Sequence, residues 1–200
     1  IYWYVLMVLV QMPEQLIFLG SGGSRVVLAS QLVGTGGFVI QTQGYQIWID
    51  PGPGALVRAR NKVRSRQTDI IFVSHHHLDH SNDLNAVIDA MTLGGEKKRG
   101  ILISTNTTIN GTEKDTPALS KVYREALKDA YPLNPGDKVT VGPLVFIATP
   151  TQHDCDAIGL RLETPLGAIG YTSNTKYFPE LVEAFKGCKI IIADVLRPGN

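Results

Sequence analysis

His75, His76, His77 and His80 fall within six residues of a chain that has five histidines in all. Asp79 lies among them, in the stretch VSHHHLDHSND (Val73 to Asp83), and the fifth histidine, His153, lies far downstream. Neutral imidazole is a ligand for zinc, iron and other first-row metals, and a carboxylate adds charge and a hard oxygen. In an extended stretch, residues i and i+2 point the same way. His75, His77 and Asp79 therefore share one side of the chain, and His76 and Leu78 the other. His80 follows where the chain begins to turn into a helix. Imidazoles and a carboxylate thus surround one small volume. A purification tag would be terminal, contiguous and without flanking structure. This run is internal, follows the apolar stretch DIIFVS (Asp69 to Ser74) and precedes a helix signal.

The elements that must position this cluster can be read from periodicity and turn residues. LIFLG (Leu16 to Gly20) is a short strand ending in a glycine turn. Gly37 to Thr42 and QIWID (Gln46 to Asp50) flank Gln43-Gly44-Tyr45 and predict a hairpin. DIIFVS predicts a buried strand. Leu84, Val87, Ile88 and Met91 recur at helical spacing, with Ser81 or Asn82 as cap and Gly94-Gly95 as stop. ILIST (Ile101 to Thr105) predicts a strand. Thr116-Pro117 opens a second predicted helix, whose apolar face is Leu119, Val122, Tyr123, Ala126, Leu127 and Ala130. Strands follow near Lys138–Val141, Leu144–Thr149, Ile158–Glu163 and Ala168–Tyr171. A third helix opens at Phe178-Pro179, carries Leu181, Val182 and Phe185, and stops at Gly187. Lys189 to Val195 is a last buried strand. Helices separate groups of strands instead of alternating strictly with them, which predicts sheets covered by helices and not a Rossmann-type fold.

Two hundred residues make one domain, able to bury roughly 70% of its unfolded surface. A net charge of +1 argues against a bulk nucleic-acid binder. Cys155 and Cys188 are far apart and form no spaced motif, which favours a reducing, cytoplasmic setting. Residues 1–11, IYWYVLMVLVQ, are apolar but about half a membrane span in length, and lack the basic leader and cleavage site of a signal peptide. They are expected to be an upstream remnant outside the domain or an extra edge strand, with a partial membrane anchor as the alternative reading; the domain takes residues 12–200. GSGGS (Gly20 to Ser24) and GTGG (Gly34 to Gly37) lack the ending of a phosphate-binding loop and read as tight turns.

The pattern His75-x-His77-x-Asp79-His80 resembles the signature of the metallo-β-lactamase superfamily. LIFLGSGG resembles that family's opening strand and glycine turn, and IDPGPG its strand ending in Asp-x-Gly. IGLRLETPLGAIGYTSNT resembles a later hairpin, particularly that of the ribonuclease Z-like and phosphodiesterase branches. The resemblance covers most of the chain from Met12 onward. It implies an α/β (α+β) fold, a four-layer αβ/βα sandwich with one or two metal ions at the edge between two sheets. It also implies a division of ligands. His75, His77 and His153 would bind one ion. Asp79 and His80, with a bridging aspartate and a final histidine, would bind the other.

The chain departs from the pattern twice. The family's bridging aspartate stands in a Ser-Asp-Thr or Gly-Asp-Thr turn, and here that turn reads TSNT, with Asn174 at the position. Asparagine offers one neutral carbonyl oxygen where aspartate offers two anionic ones, so a second ion is expected to be weakened or lost. No histidine follows His153 to match the family's last one, which is expected of a domain truncated at its C-terminus. Asp154 and Cys155, beside His153, are alternative ligands, although a free cysteine is more often a small buried filler.

These residues imply a metal-dependent hydrolase with one or two divalent ions: zinc first, manganese or iron as alternatives. The ion would acidify a water that attacks phosphorus or carbonyl carbon, with Asp79 orienting it or holding a second ion. A helix start near Ser81-Asn82 would favour anions and hence a phosphodiester. Arg58, Arg60, Lys62, Arg64 and Arg66 alternate, and in an extended loop would grip a phosphate backbone; on a helix they would scatter over a solvated face. Between Ser81 and Gln152 there is no glycine- and proline-rich arm of the kind ribonuclease Z uses to hold tRNA. A small phosphodiester or short nucleic acid is therefore the expected substrate, with no stable nucleic-acid partner and no membrane; a homodimer stays open. β-Lactam hydrolysis is disfavoured by the hairpin type. Two competing functions are a non-catalytic or single-metal family member acting as a binding or structural subunit, and a flavin-coupled iron protein. The latter needs acidic ligands and a flavin domain that are not seen.

Overall fold

The computed structural model describes residues 14–23, 28–30 and 33–194. The apolar stretch 1–11, Met12, Ser24 and Val195 lie outside the described residues.

Two sheets face each other. Among the described residues the first has six strands in chain order: β1 (Gln15–Phe18), β2 (Phe38–Thr42), β3 (Tyr45–Ile49), β4 (Ile70–Val73), β5 (Ile101–Ser104) and β6 (Asp129–Pro132). β1, β2 and β3 pair antiparallel, and β3 to β6 pair parallel. The second has five strands: β7 (Lys138–Val141), β8 (Leu144–Thr149), β9 (Gly159–Glu163), β10 (Ile169–Tyr171) and β11 (Ile190–Ile192). It is antiparallel except for the β10–β11 pair, which is parallel.

Strands β2 to β4 are buried on both faces, which explains why they read as continuous apolar runs. Their side chains divide by alternation. Val39, Trp48, Ile71 and Val73 face a core shared with the helices. Phe38, Ile40, Ile47, Ile49, Ile70 and Phe72 face the second sheet, where Leu144, Phe146, Leu160 and Leu162 meet them. The helices on the first sheet are α1 (Ala55–Ala59), α2 (Leu78–Ser81), α3 (Leu84–Thr92), α4 (Asn106–Asn110) and α5 (Lys121–Ala126); α6 (Pro179–Ala184) follows β10. Next to α6, Phe185 lies so close to Gly170 of β10 that a Cβ there would clash with its ring. The layers are helix, sheet, sheet, helix, as the resemblance implies.

Several elements differ from expectation. The hairpin turn is Gln43-Gly44, both at positive φ (51° and 81°), which is the type I′ geometry; Tyr45 is already in β3. The second helix starts at Lys121, where the Ser120 side chain accepts the Tyr123 N–H, and not at Thr116-Pro117. It ends before Ala130, which belongs to edge strand β6. α1 and α4 were not predicted, being too short to show a periodicity. The predicted cap of α3 also moves. Ser81 closes the separate turn α2 and donates through Oγ to the carbonyls of His76 (2.9 Å) and His77 (3.0 Å). Asp83 then precedes α3. Basic residues 58–66 do not form one extended row, because they run from α1 through a turn into a 3-10 helix, Ser65–Gln67.

Candidate metal centre

The strands deliver the expected histidines and Asn174, together with Asp50 and Asp194, to one edge of the sandwich. Asp50 follows β3, Ser74 to His77 follow β4, His153 lies beyond β8, Asn174 beyond β10 and Asp194 beyond β11. The loops are tied together. Ile158 N–H donates to Ser74 O (3.1 Å), Gln152 N–H to Thr175 Oγ1 (2.8 Å) and Lys176 N–H to Gln152 O (3.1 Å). The turn carrying Asn174 therefore lies directly beside the one carrying His153.

His75, His77 and His153 converge. His75 Nε2 is 3.1 Å from His77 Nδ1, and His153 Nε2 is 3.3 Å from the same atom. Metal–nitrogen bonds of about 2.0–2.1 Å in a tetrahedral site imply donor–donor edges of about 3.3–3.4 Å, so these separations are those of one coordination shell. Cys155 Sγ joins the group, with all four ligand atoms within 4.8 Å of one another. The sequence had offered Cys155 only as an alternative ligand. His76 stands apart, with Nε2 3.9 Å from Asp115 Oδ1.

Asp79 and His80 form a second group beside the first. His80 Nε2 is buried without a hydrogen-bond partner and lies 3.6 Å from Asp79 Oδ2. Asp79 does not extend the alternation of His75 and His77. It lies in the turn α2, which swings it towards His80. Asn174 Oδ1 is a further buried oxygen with no partner. Asp194, which sequence reasoning did not single out, lines a cavity of about 270 Å³ together with Gly20, Gly22, Gly23, Asp79 and His80. Its one sequence signal was its place after the apolar run expected to be a last buried strand; the run is instead the short edge strand β11, exposed at Ile190 and Ile191 because only β10 pairs with it. The GSGG turn is thus a wall of the site, without being a phosphate loop.

Asp50 organises both groups. Its carboxylate accepts hydrogen bonds from Ser74 N–H (2.6 Å), Ser74 Oγ (2.7 Å), His80 Nδ1 (2.8 Å) and Tyr171 Oη (2.6 Å). An ionised carboxylate only accepts, so the Ser74 hydroxyl gives its proton to Asp50. Its oxygen then accepts from His75 Nδ1 at 2.9 Å. This sets the tautomers: His75 and His80 carry N–H on Nδ1 and turn Nε2 to the centre. Asp50 holds a left-handed backbone (φ 49°), and two residues on, a Cβ on Gly52 would overlap the carbonyl oxygens of Asp79 and Thr35. The Asp-x-Gly pair therefore has two physical reasons, a buried acceptor and a close approach of α2.

Protonation follows the same division. Burial, then the neighbouring His80, His77 and His153, drives His75 far below the ordinary histidine range. Burial and His153 also lower His77, against the pull of Asp154. Burial is the largest single influence on His80 and opposes its charging. The charge and hydrogen bond of Asp50, with Asp79 and Asp194, together outweigh it and raise its pKa. Burial raises Asp194, against His80 and with Asp79 and Asp50. Burial and the carboxylates of Asp154, Asp156 and Asp115 push the Cys155 thiol up to about 12. Neutral imidazoles with converging nitrogens, and an orphaned buried Nε2 beside carboxylates, fit a divalent metal.

The beta-lactamase superfamily domain matches residues 45–199. The chain belongs to the metallo-β-lactamase superfamily. It is 39% identical over 191 residues to the Methanocaldococcus jannaschii protein MJ1374, covering 94% of this chain and 72% of that protein. It is 21% identical to the probable metallo-hydrolase YhfI of Bacillus subtilis (80% of this chain, 64% of that protein). It is 29% identical to ribonuclease Z of Methanopyrus kandleri (74% of this chain, 50% of that protein). The crystal structure of YhfI superposes with a TM-score of 0.69 at 19% identity, over 88% of this chain and 68% of that one. The chain thus spans between half and three quarters of the length of these relatives. Among the described residues no helix is long and apolar enough to cross a membrane.

Proposed function

We propose that this superfamily member is a metal-dependent hydrolase acting on a small phosphodiester. The observation that carries the reading is the convergence of His75 Nε2, His77 Nδ1 and His153 Nε2 at 3.1 and 3.3 Å, beside the unpartnered His80 Nε2 and the Asp79 carboxylate. Zinc is the ion best suited to an imidazole-rich set, with manganese or iron as alternatives. His75, His77 and His153 would hold it. Asp79 and His80 face the neighbouring position, and Asn174 would offer a neutral oxygen there. A bound divalent ion supplies Lewis acidity and brings the pKa of water towards neutrality.

The chain's own residues do the rest. Ser74 and Asp50 fix the His75 and His80 rings, so their Nε2 atoms need no reorganisation when an ion arrives. Asp79, outside the three-histidine group, would orient the attacking water or hold a second ion. The cavity of about 270 Å³ is slightly below the usual range of ligand pockets, about 300–1,000 Å³, which supports a small diester over a folded RNA. The phosphoester preference has further support in the similarity to ribonuclease Z.

The decisive experiment is metal analysis joined to hydrolysis of bis-p-nitrophenyl phosphate, with the chain as it stands and with Asn174→Asp. Metal binding and phosphoester turnover are the expected result, and Asn174→Asp should keep both. A folded chain that binds metal but hydrolyses no phosphoester in either form would leave the second reading. That reading is a non-catalytic or single-metal binding subunit, favoured by the neutral Asn174 at the bridging position.

A further inference from the structure

We propose that Asp194 is a ligand of a second divalent-metal subsite formed with Asp79 and His80, where it supplies the negative charge that Asn174 does not. The inference rests on the metal reading above and deepens it.

β10 and β11 are parallel neighbours, with Tyr171 opposite Ile192. Both strands therefore end at the same edge, Asn174 three residues past one end and Asp194 two residues past the other. The two loops are stitched together: Thr172 N–H donates to Ile192 O (3.0 Å), and Asp194 N–H to Thr172 Oγ1 (3.2 Å). A carboxylate missing from the first loop can thus be supplied from the neighbouring one. The Asp194 side chain points inward. A Cβ built on Gly23 would stand 3.3 Å from Asp194 Oδ2 and 4.0 Å from Asp79 Oδ2, so both carboxylates border the same glycine.

Acidic residues alone would mark nothing. The independent sign of a ligand is His80. This side chain is 8% exposed. Its Nδ1 is engaged by Asp50, and its Nε2 is buried with no hydrogen-bond partner and directed at Asp79. A buried ring nitrogen without a partner is destabilising, a penalty that a cation shared with two carboxylates would remove. Among the described residues the Asp194 carboxylate makes no hydrogen bond of its own, so it too is free to bind. Among the described residues the four ligand atoms within 4.8 Å of one another are those of the first group, so the Asp194 carboxylate would close on Asp79 and His80 when an ion arrives; one imidazole and two carboxylates then form a harder donor set than the three histidines next door, which suits manganese or iron as well as zinc.

The test is equilibrium dialysis of the full chain against Zn²⁺ and, separately, Mn²⁺, with bound metal counted by elemental analysis. The metal-free Tm serves as the folding control. The chain should bind two equivalents. Asp194→Asn should lose at least tenfold in affinity for the second and leave the first unchanged, and Asp194→Glu should keep both. Adding Asn174→Asp to Asp194→Asn should restore the second equivalent. The inference is overturned if Asp194→Asn keeps both equivalents at unchanged affinity, if it loses both together, or if the double variant regains nothing. A chain that binds one equivalent, indifferent to Asp194→Asn, sinks this inference and leaves the three-histidine site standing. A chain that binds no metal sinks the metal reading itself.

Discussion

Replacing Asp50 with asparagine tests the claim that one buried carboxylate builds both halves of the centre. Asp50 is 3% exposed and accepts four hydrogen bonds of 2.6 to 2.8 Å. Asparagine keeps the size but offers one acceptor oxygen, and its amide meets donors with a donor. At least one buried donor loses its partner, and the His80 ring loses its counter-charge. Removing one partner of a buried charged pair costs about 3–5 kcal/mol. At about 2–4 °C per kcal/mol for a chain of this size, the Tm should fall by about 6–20 °C. Without Asp50, burial dominates His80, so its pKa in the metal-free chain should drop. Metal affinity should fall about 10–100-fold, the usual cost of losing a residue that orients a ligand. Thermal unfolding, an imidazole NMR titration and zinc titration read the three effects. A folded Asp50→Asn with Tm within about 2 °C of the parent, unshifted His80 and unchanged zinc affinity would refute the reasoning.

Three further outcomes are expected. Gly52→Ala should cost several kcal/mol, on the order of 3 or more, since its Cβ would overlap two backbone carbonyls; chemical denaturation measures it, and a loss below about 1 kcal/mol would show that α2 can retreat. In the metal-free chain, His75 is depressed and His80 raised. Below the unfolded pKa of about 6.5 the unfolded state therefore takes up a proton that folded His75 refuses, and stability falls as pH falls, by at most about 1.4 kcal/mol per pH unit for this group. Folded His80 keeps its proton above that pH, so its contribution is lost as pH rises through its raised pKa. The two limbs place a stability maximum near pH 6.5, visible in denaturant midpoints against pH, and His75→Gln should flatten the acid limb only. Cys155, with its thiol pushed up to about 12, should react slowly with iodoacetamide at neutral pH. Cys155→Ser should keep the first metal within about threefold, well under the tenfold that 1.4 kcal/mol would give. A thiolate–cobalt absorption band in the cobalt-loaded parent would show the opposite.

The histidine positions were legible because metal ligation demands rare residue types at fixed spacing, and the sheets were legible because β2 to β4 and β8 are apolar runs bounded by turns. The local path through the cluster was not legible. Alternation predicted His75, His77 and Asp79 on one side, but the chain turns at His77 into α2, and Asp79 reaches His80 from a helical turn. Ser81 reads as a helix cap by type, yet its hydroxyl closes α2 on the carbonyls of His76 and His77. A four-residue turn carries no periodicity that could have announced this. Asp50 could be noticed only as part of Asp-x-Gly. Its four partners come from positions 74, 80 and 171, and a contact across 121 residues leaves no local trace.

Asp194 shows what a pattern-based reading leaves out. The sequence pointed to a deficit: a neutral residue, Asn174, where a bridging charge is expected. A deficit at one position is a deficit of the site only if no neighbour can fill it. The parallel pairing of β10 and β11 puts a second loop end within reach, and the residue there is an aspartate facing the same cavity as Asp79 and His80. Electrostatics near a cation depends on where charge lies and hardly on which strand supplies it. The net charge available to an ion between Asp79, His80 and Asp194 therefore equals that of a site with aspartate at position 174 and a neutral group at 194. Asn174 alone is then a weak argument for a lost second ion, and the balance between hydrolase and binding subunit turns on the behaviour of Asp194.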